Sequence, residues 1–258
     1  MRAAINTPIA MKTKVAREPL DALLVSRELA ESLEKARAMI LAGEVRVNGS
    51  AADKAGARIP ENAQIEIVSR VQKYASRGGI KLEGALADFR VDPSGKVCLD
   101  VGSSTGGFTD CLLQHGAARV YAIDVTIDQL AWKLRQDSRV VPVKRNARAL
   151  RPEDVIESAD LVVIDVSFIS AAKVLAPAVR VAKTGAEFLI LIKPQFELPK
   201  ADVGRKGIVR EAALQEIAVN KVRESAEATG LGIISVRPSR LPGAEGNQEF
   251  FLHARKRP

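Results

Sequence analysis

Asp100-Val-Gly-Ser-Ser-Thr-Gly-Gly-Phe108 combines an acid, three glycines and three hydroxyls where an apolar strand gives way to a helix. Glycines at 102, 106 and 107 let backbone approach a ligand closely and leave the helix N-terminus open, with its unpaired N–H groups. The following strand ends on Asp124, placed to take ribose hydroxyls. Strand, glycine loop, helix, strand and acid form a nucleoside-binding arrangement, shared by nicotinamide and S-adenosylmethionine enzymes. The spacing is not Gly-x-Gly-x-x-Gly, so the dinucleotide fingerprint is missed.

Alternating elements position these residues. Strands are read at Lys96–Gly102, Arg119–Val125, Val140–Lys144, Leu161–Phe168 and Glu187–Pro194, with helices near 105–114, 128–136, 170–183 and 210–229. Unbroken apolar runs such as Leu161-Val162-Val163-Ile164 mark strands buried on both faces, as in a parallel sheet. Gly232–Ser239 and Glu249–Lys256 read as two more strands separated only by Arg240–Gln248. A parallel crossover needs a dozen or more residues, and Pro242, Gly243 and Gly246 forbid a helix there, so these strands are expected to be antiparallel neighbours. The usual nicotinamide-binding topology lacks such a last strand. Trp132 and Met39 lie in apolar helical faces and read as core. Ahead of the α/β part, Leu20, Leu23 and Leu24 give a helix face, and Ser32 caps Leu33–Ala42. Val45-Arg46-Val47 then runs into the hairpin signal Asn48-Gly49, and Gln64–Val68 alternates as a further strand. Residues 1–17 form a basic arm that either contacts a partner or has no role; 18–69 form a small α+β domain, 70–76 a linker and 77–258 the α/β domain.

Composition narrows the class. With 39 Lys+Arg against 31 Asp+Glu, the chain carries +8 and favours a polyanionic partner, nucleic acid before membrane surface. The excess is spread over both parts, three up to residue 73 and five beyond it. Aromatic residues are 4%, against a mode built on stacking many bases. Cys98 and Cys111 make neither a disulfide framework nor, with His115 and His253, a zinc cage; they read as buried hydrophobes in a reducing, cytoplasmic setting, and no metal is expected. No apolar run is long enough to span a membrane.

The blocks SRGGIKL (76–82), DVGSSTGGFTD (100–110), AIDV (122–125), LVVIDVSFIS (161–170), IKPQFE (192–197) and GNQEFF (246–251), in this order, make the chain resemble the TlyA-type (hemolysin A) ribosomal-RNA 2′-O-methyltransferases, related in their catalytic domain to FtsJ/RrmJ enzymes. The resemblance runs from about Leu20 to Arg255. It implies a class I S-adenosylmethionine-dependent methyltransferase fold, Rossmann-like and mostly parallel with an antiparallel last strand, preceded by a small RNA-binding domain. It also implies a catalytic tetrad of Lys81, Asp165, Lys193 and Glu249. A ribose 2′-hydroxyl is a poor nucleophile until its proton is removed or polarised, a task for a lysine set among charged neighbours. In this reading Lys193 is the base, Asp165 and Glu249 orient it, and Lys81, opening a helix, positions the ribose. The cofactor site is Asp100, Gly102, Ser103, Thr105, Gly106, Gly107, Phe108, Asp124 and Asp165. Asn146 lies near the adenine or is a plain turn residue.

The N-terminal part resembles the RNA-binding domain first described in a small-subunit ribosomal protein, on LDALLVSRELAES, EKARAMILAGEVRVNG and QIEIV. Its RNA face would use Lys35, Arg37 and Arg46, with Arg27 nearby, while Arg77 and the loop with Lys200, Arg205 and Lys206 would extend the contact; that loop reads equally as a connector. These are phosphate contacts, which position RNA without reading bases. Three departures bear on target and pocket. Leu33 stands where arginine is common, Thr126-Ile127-Asp128 replaces Gly-Tyr-Gly, and Lys144 falls at a commonly acidic position. The expected activity is methylation of a ribose, of cytidine, in ribosomal RNA, with assembled subunits as substrate. The rival readings are a non-catalytic RNA-binding or ribosome-assembly factor, which predicts a decayed tetrad or glycine loop, and a membrane-lytic protein. A nicotinamide-dependent dehydrogenase is the rival enzyme.

Overall fold

The structure is a computed structural model that describes residues 16–41, 43–68, 73–204, 207–243 and 245–258. The basic arm up to residue 15, residues 70–72 of the linker, Arg205 and Lys206 therefore lie outside the described residues. The chain divides into two units, Met1–Val71 and Gln72–Pro258.

In the first unit β1 (Arg17–Pro19) leads directly into α1 (Leu20–Ser26), followed by α2 (Leu33–Leu41). Ser32 caps α2 as its sequence suggests: its Oγ accepts from Lys35 N at 3.2 Å. Strands β2 (Val45–Val47) and β3 (Ser50–Ala51) close a hairpin through Asn48 and Gly49, whose φ angles of +50° and +79° are those of a type I′ turn. β4 (Arg58–Pro60) pairs with β1, and β5 (Ile65–Ile67) with β2. Leu20, Leu24, Ala36, Ile40 and Val45 form the small core, with Met39 at its edge.

The second unit opens with α3 (Arg77–Phe89), capped by Ser76. Then follow β6 (Val97–Val101), α4 (Gly107–Gln114), β7 (Arg119–Asp124), α5 (Trp132–Arg135), β8 (Val140–Lys144), β9 (Ala159–Ile164), α6 (Ala172–Arg180), β10 (Ala182–Ile192), α7 (Pro194–Glu197), α8 (Ala212–Ala228), β11 (Leu231–Pro238) and β12 (Phe250–Lys256). The seven strands lie in the order β11-β12-β10-β9-β6-β7-β8. β12 runs antiparallel to both β10 and β11, as the short 240–248 connection requires. Alternate residues of β6 feed opposite cores: Val97, Leu99 and Val101 face α6 and α8, whereas Cys98 faces α3 and α4. Fully burying an aliphatic side chain of this kind stabilises by roughly 1.5–3 kcal/mol, which is why two-sided strands must read as unbroken apolar runs.

Two expectations fail locally. The helix expected over 128–136 is a 3₁₀ turn at Ile127–Gln129 followed by the four-residue α5. Leu130 and Leu134 are buried beside Gly106, and this leaves Trp132 exposed at 68% rather than in the core. β10 begins five residues before the expected Glu187, with a register break between Ala182 and Glu187.

Candidate active site

Strand order reverses between β6 and β9, neighbours from which the chain departs in opposite directions. Ligands bind in the crevice at such a switch, beyond the carboxyl ends of the strands. β6 delivers the glycine loop there and β9 delivers Asp165. The two segments touch: Gly102 has φ +89°, and a Cβ on it would stand 2.3 Å from the Asp165 carbonyl oxygen. Gly106, φ +93°, is the N-cap of α4, and a Cβ there would strike Leu134.

Two adjoining cavities share Gly102, Ser104, Asp165 and Ser167 on their walls. The smaller, about 200 Å³, is lined by Lys81, Lys193, Ser103, Thr105, Gly107 and Phe108, with Ser76, Arg77 and Gly78 from the start of α3. The Oγ of Ser103 is buried there without a hydrogen-bond partner among the described residues. The larger, about 410 Å³, is lined by Asp124, Val125, Asn146, Arg148 and Phe168. Asp124 holds the loop as well as facing this cavity: its Oδ2 accepts from Ser104 N and its Oδ1 from Thr126 N, each at 2.9 Å. Asn146 caps a 3₁₀ turn, accepting from Arg148 N at 3.1 Å. Asp100 lines neither cavity. It is fully buried, with Oδ2 accepting from Thr109 Oγ1 at 2.6 Å and Oδ1 without a partner among the described residues. Burial pushes its carboxyl up to about 7 against the lowering effect of Thr109, helped by the nearby Asp165.

The four tetrad positions form two ion pairs. Lys193 Nζ lies 2.5 Å from Asp165 Oδ1 and donates to Ser167 Oγ at 2.8 Å. Lys81 Nζ donates to Glu249 Oε2 at 2.6 Å, with side-chain exposures of 11% and 3%. Glu249 therefore orients Lys81, correcting the expectation that it orients Lys193. Lys81 does not open its helix either: it lies in the second turn of α3, which starts at Arg77. Asp165 and Lys193 stand one residue beyond the ends of β9 and β10, neighbouring parallel strands. Glu197, 2% exposed, ties the two segments: Oε1 accepts from Ala171 N at 2.7 Å, and Oε2 accepts from Ser170 Oγ. Burial raises its carboxyl above the usual range. Ser76 and Gly78 in SRGGIKL and Ser167 in LVVIDVSFIS have no site role in the sequence reading, because only the fold brings them to a cavity wall.

The basic residues of the first unit differ among themselves. Arg27 is committed internally, donating to Ala63 O at 2.9 Å and to Glu61 O, so it does not offer a free guanidinium. Arg37 pairs with Asp21 at 2.8 Å and draws that carboxyl below its ordinary value through the hydrogen bond. Lys35 and Arg46 are exposed. In the second unit Arg77 and Lys200 are exposed. Among the described residues no helix is long and apolar enough to cross a membrane.

The family model for FtsJ-like methyltransferases matches residues 74–256, and that for the S4 domain matches residues 18–65. A protein of Mycobacterium tuberculosis named 16S/23S rRNA (cytidine-2′-O)-methyltransferase TlyA is 44% identical over 241 residues, covering 93% of this chain and 90% of that protein. Hemolysin A of Brachyspira hyodysenteriae is 43% identical over 239 residues, 91% of this chain and 98% of the relative. A solved structure from Streptococcus thermophilus, described as a candidate hemolysin, superposes with a TM-score of 0.73 at 38% identity, covering 95% of this chain and 90% of its own. Matched over more than two thirds of its length, with an S4 domain ahead of the match, the chain belongs to the FtsJ-like methyltransferase family.

Proposed function

We propose that this protein transfers a methyl group from S-adenosylmethionine to a ribose 2′-oxygen, of cytidine, in ribosomal RNA. The observation that carries the reading is the placement of Lys193 between Asp165 and Ser167, on the wall of a cavity that adjoins the glycine loop. An Nζ has three positions besides its Cε. One donates to Ser167 Oγ, Asp165 Oδ1 stands 2.5 Å from Nζ as the counter-charge, and the positions left can hold the lone pair of the amine or further N–H groups of the ammonium.

The larger cavity fits a nucleoside: Asp124 would take ribose hydroxyls, Asn146 lies where a base edge would reach, and Val125 gives an apolar wall. Gly102, Ser103, Thr105, Gly106, Gly107 and Phe108 would hold the amino-acid end, for which the unpartnered Ser103 hydroxyl is a ready donor. Asp100 would act from beneath through Thr109 and the loop. When bound, S-adenosylmethionine supplies a methyl on a sulfonium whose leaving group is neutral and needs no acid. What remains for the chain is alignment and the hydroxyl proton. Lys193 as amine accepts that proton at Nζ, Asp165 stabilises the ammonium so formed, and Lys81, fixed by Glu249, holds the ribose.

The named activity of the Mycobacterium tuberculosis relative supports ribosomal RNA and cytidine as target, and the S4 match supports an RNA-binding role for residues 18–69, with 70–76 as linker and 77–258 as the methyltransferase domain. Lys35, Arg37 and Arg46 would meet phosphate, joined by Arg77, Lys200, Arg205 and Lys206. The test is transfer of label from methyl-tritiated S-adenosylmethionine to isolated ribosomal subunits by wild type and by Lys193→Ala. Labelling by wild type alone, with equal cofactor affinity in both proteins, supports the reading; equal labelling by both sinks Lys193 as the base.

A further inference from the structure

Trp132 is the single tryptophan of the chain, and it lies open to solvent at 68% exposure. The anchoring of α5 holds it there. Ala131 N donates to the Thr105 carbonyl at 3.1 Å, and Leu130 and Leu134 are buried beside Gly106, so the glycine loop fixes α5 with Trp132 left outside. Thr105 lines the smaller cavity, whereas Trp132 lines neither cavity. The ring therefore stands beside the site without forming its walls. The Arg135 guanidinium lies over the indole, 5.5 Å from its centroid. Lys133 pairs with Asp110 at 2.6 Å and Arg139 with Asp137 at 2.7 Å, while Arg135 has no carboxylate within salt-bridge distance among the described residues. Val125 and Phe168, also exposed, follow the ends of β7 and β9 on the wall of the larger cavity. Exposed apolar surface thus gathers at the edge of the sheet where a substrate must approach.

We propose that Trp132, with Arg135, is a stacking platform for an unpaired base of the RNA substrate, outside the cavity that takes the methylated ribose. The inference rests on the RNA-methylation reading and adds a grip on the strand beside the reacting nucleotide. A scattered exposed leucine needs no explanation, but an indole is a large rigid face, and every base has a π face to set against it. The guanidinium over the ring makes the patch cationic, which suits a polyanion that carries flat bases. The net charge of +8 has the same sign. An apolar protein surface would instead desolvate Arg135 without supplying a counter-charge. Bases inside a duplex are already stacked on both sides, so the platform selects unpaired ones. One such contact is compatible with an aromatic content of 4%, which argues only against stacking many bases.

The experiment uses the full chain saturated with S-adenosylhomocysteine, in which Trp132 is the only indole. The probes are a short oligocytidylate and an abasic ribose-phosphate oligomer of equal length and charge. Binding is read from the anisotropy of end-labelled probes, and the state of the ring from indole emission with unlabelled ones. Oligocytidylate should quench the emission as it saturates the protein, and the abasic oligomer should bind more weakly and leave it unchanged. Trp132→Ala should weaken oligocytidylate binding about tenfold or more and Trp132→Phe by less, both keeping wild-type affinity for the abasic oligomer and for S-adenosylhomocysteine. Four outcomes overturn the platform: oligocytidylate that fails to bind wild type, binding with unchanged indole emission, wild-type affinity in Trp132→Ala, or an equal loss for both probes. So does emission that shifts with protein concentration in the absence of RNA, which would place the ring against a second copy of the chain. Ribosomal subunits that take no methyl label from wild type would instead count against the methylation reading itself, so the two failures are told apart.

Discussion

Lys81 and Glu249, 168 residues apart in the chain, meet at 2.6 Å with both side chains buried, and among the described residues neither shares a hydrogen bond or ion pair with Lys193 or Asp165. The site is thus two separate charge pairs, of which Lys81, Lys193 and Asp165 line one cavity. One is buried and fixed; the other stands at the ends of two neighbouring strands.

Removing one partner of the buried pair should be costly. Glu249→Gln leaves Lys81 without its counter-charge, and breaking such a pair typically destabilises by about 3–5 kcal/mol. Urea unfolding of Glu249→Gln, Lys81→Met and the double variant checks this: the double should cost clearly less than the sum of the singles. Strict additivity would mean that the two side chains do not interact in solution.

Lys193→Ala should lower the rate of methyl transfer about 10²–10⁴-fold, the usual worth of a positioned acid–base group, with cofactor affinity retained. Ser167→Ala should fall by less, since Asp165 still holds the ammonium. Single-turnover rates measured beside cofactor titrations separate the two steps. A Ser167→Ala loss as deep as that of Lys193→Ala would assign the serine a larger part than its single 2.8 Å contact indicates.

Asp100 gives a pH dependence of defined sign. Burial holds its carboxyl at about 7 in the folded protein, well above the unfolded carboxylate range, so the folded state binds the extra proton. The associated stability is complete at pH near 4 and lost as pH rises through 7. Asp100→Asn removes the titration while keeping an acceptor for Thr109. Relative to wild type, the variant should therefore gain stability in denaturant melts between pH 5.5 and pH 8. Parallel curves for the two proteins over that range would show that Asp100 is ionised throughout.

Gly102→Ala should damage the site through the backbone. At φ +89° an alanine is strained, and its Cβ would collide with the Asp165 carbonyl at 2.3 Å, forcing the glycine loop away from the end of β9. Loss of both cofactor affinity and methyl transfer is expected, read by calorimetry and labelling. Full cofactor affinity in this variant would contradict the close approach.

In the N-terminal unit the basic residues should divide. Arg27→Ala removes donors to two carbonyls and should lower stability by about 1–2 kcal/mol. Lys35→Ala and Arg46→Ala should leave stability nearly unchanged and each reduce the salt slope of RNA binding by about one. Filter binding over a salt series, beside thermal melts, distinguishes the classes. An unchanged slope in the Lys35 and Arg46 variants would remove them from the RNA face.

Strands buried on both faces were legible because the fold demands continuous apolar residues there, and the reversed last strand was legible because Pro242, Gly243 and Gly246 leave a short connection no alternative. Short edge pairs such as Arg17–Pro19 with Arg58–Pro60 carry too few residues to show a period. Trp132 misled because its neighbours Leu130 and Leu134 do pack inward, against the glycine loop, while α5 is too short to bring the ring round with them. At the site, motif resemblance named the tetrad, but its pairing needed three dimensions. Nothing in the linear order of Lys81, Asp165, Lys193 and Glu249 says that the last acid serves the first lysine, or that Ser167 completes the second.

The most direct test of the account is the chemical identity of the product. Ribosomal subunits methylated by the purified protein with labelled S-adenosylmethionine are digested to nucleosides and separated. Label in 2′-O-methylcytidine, absent when Lys193→Ala is used, is the predicted result. Label on a base, or none in the presence of bound cofactor, would contradict ribose methylation.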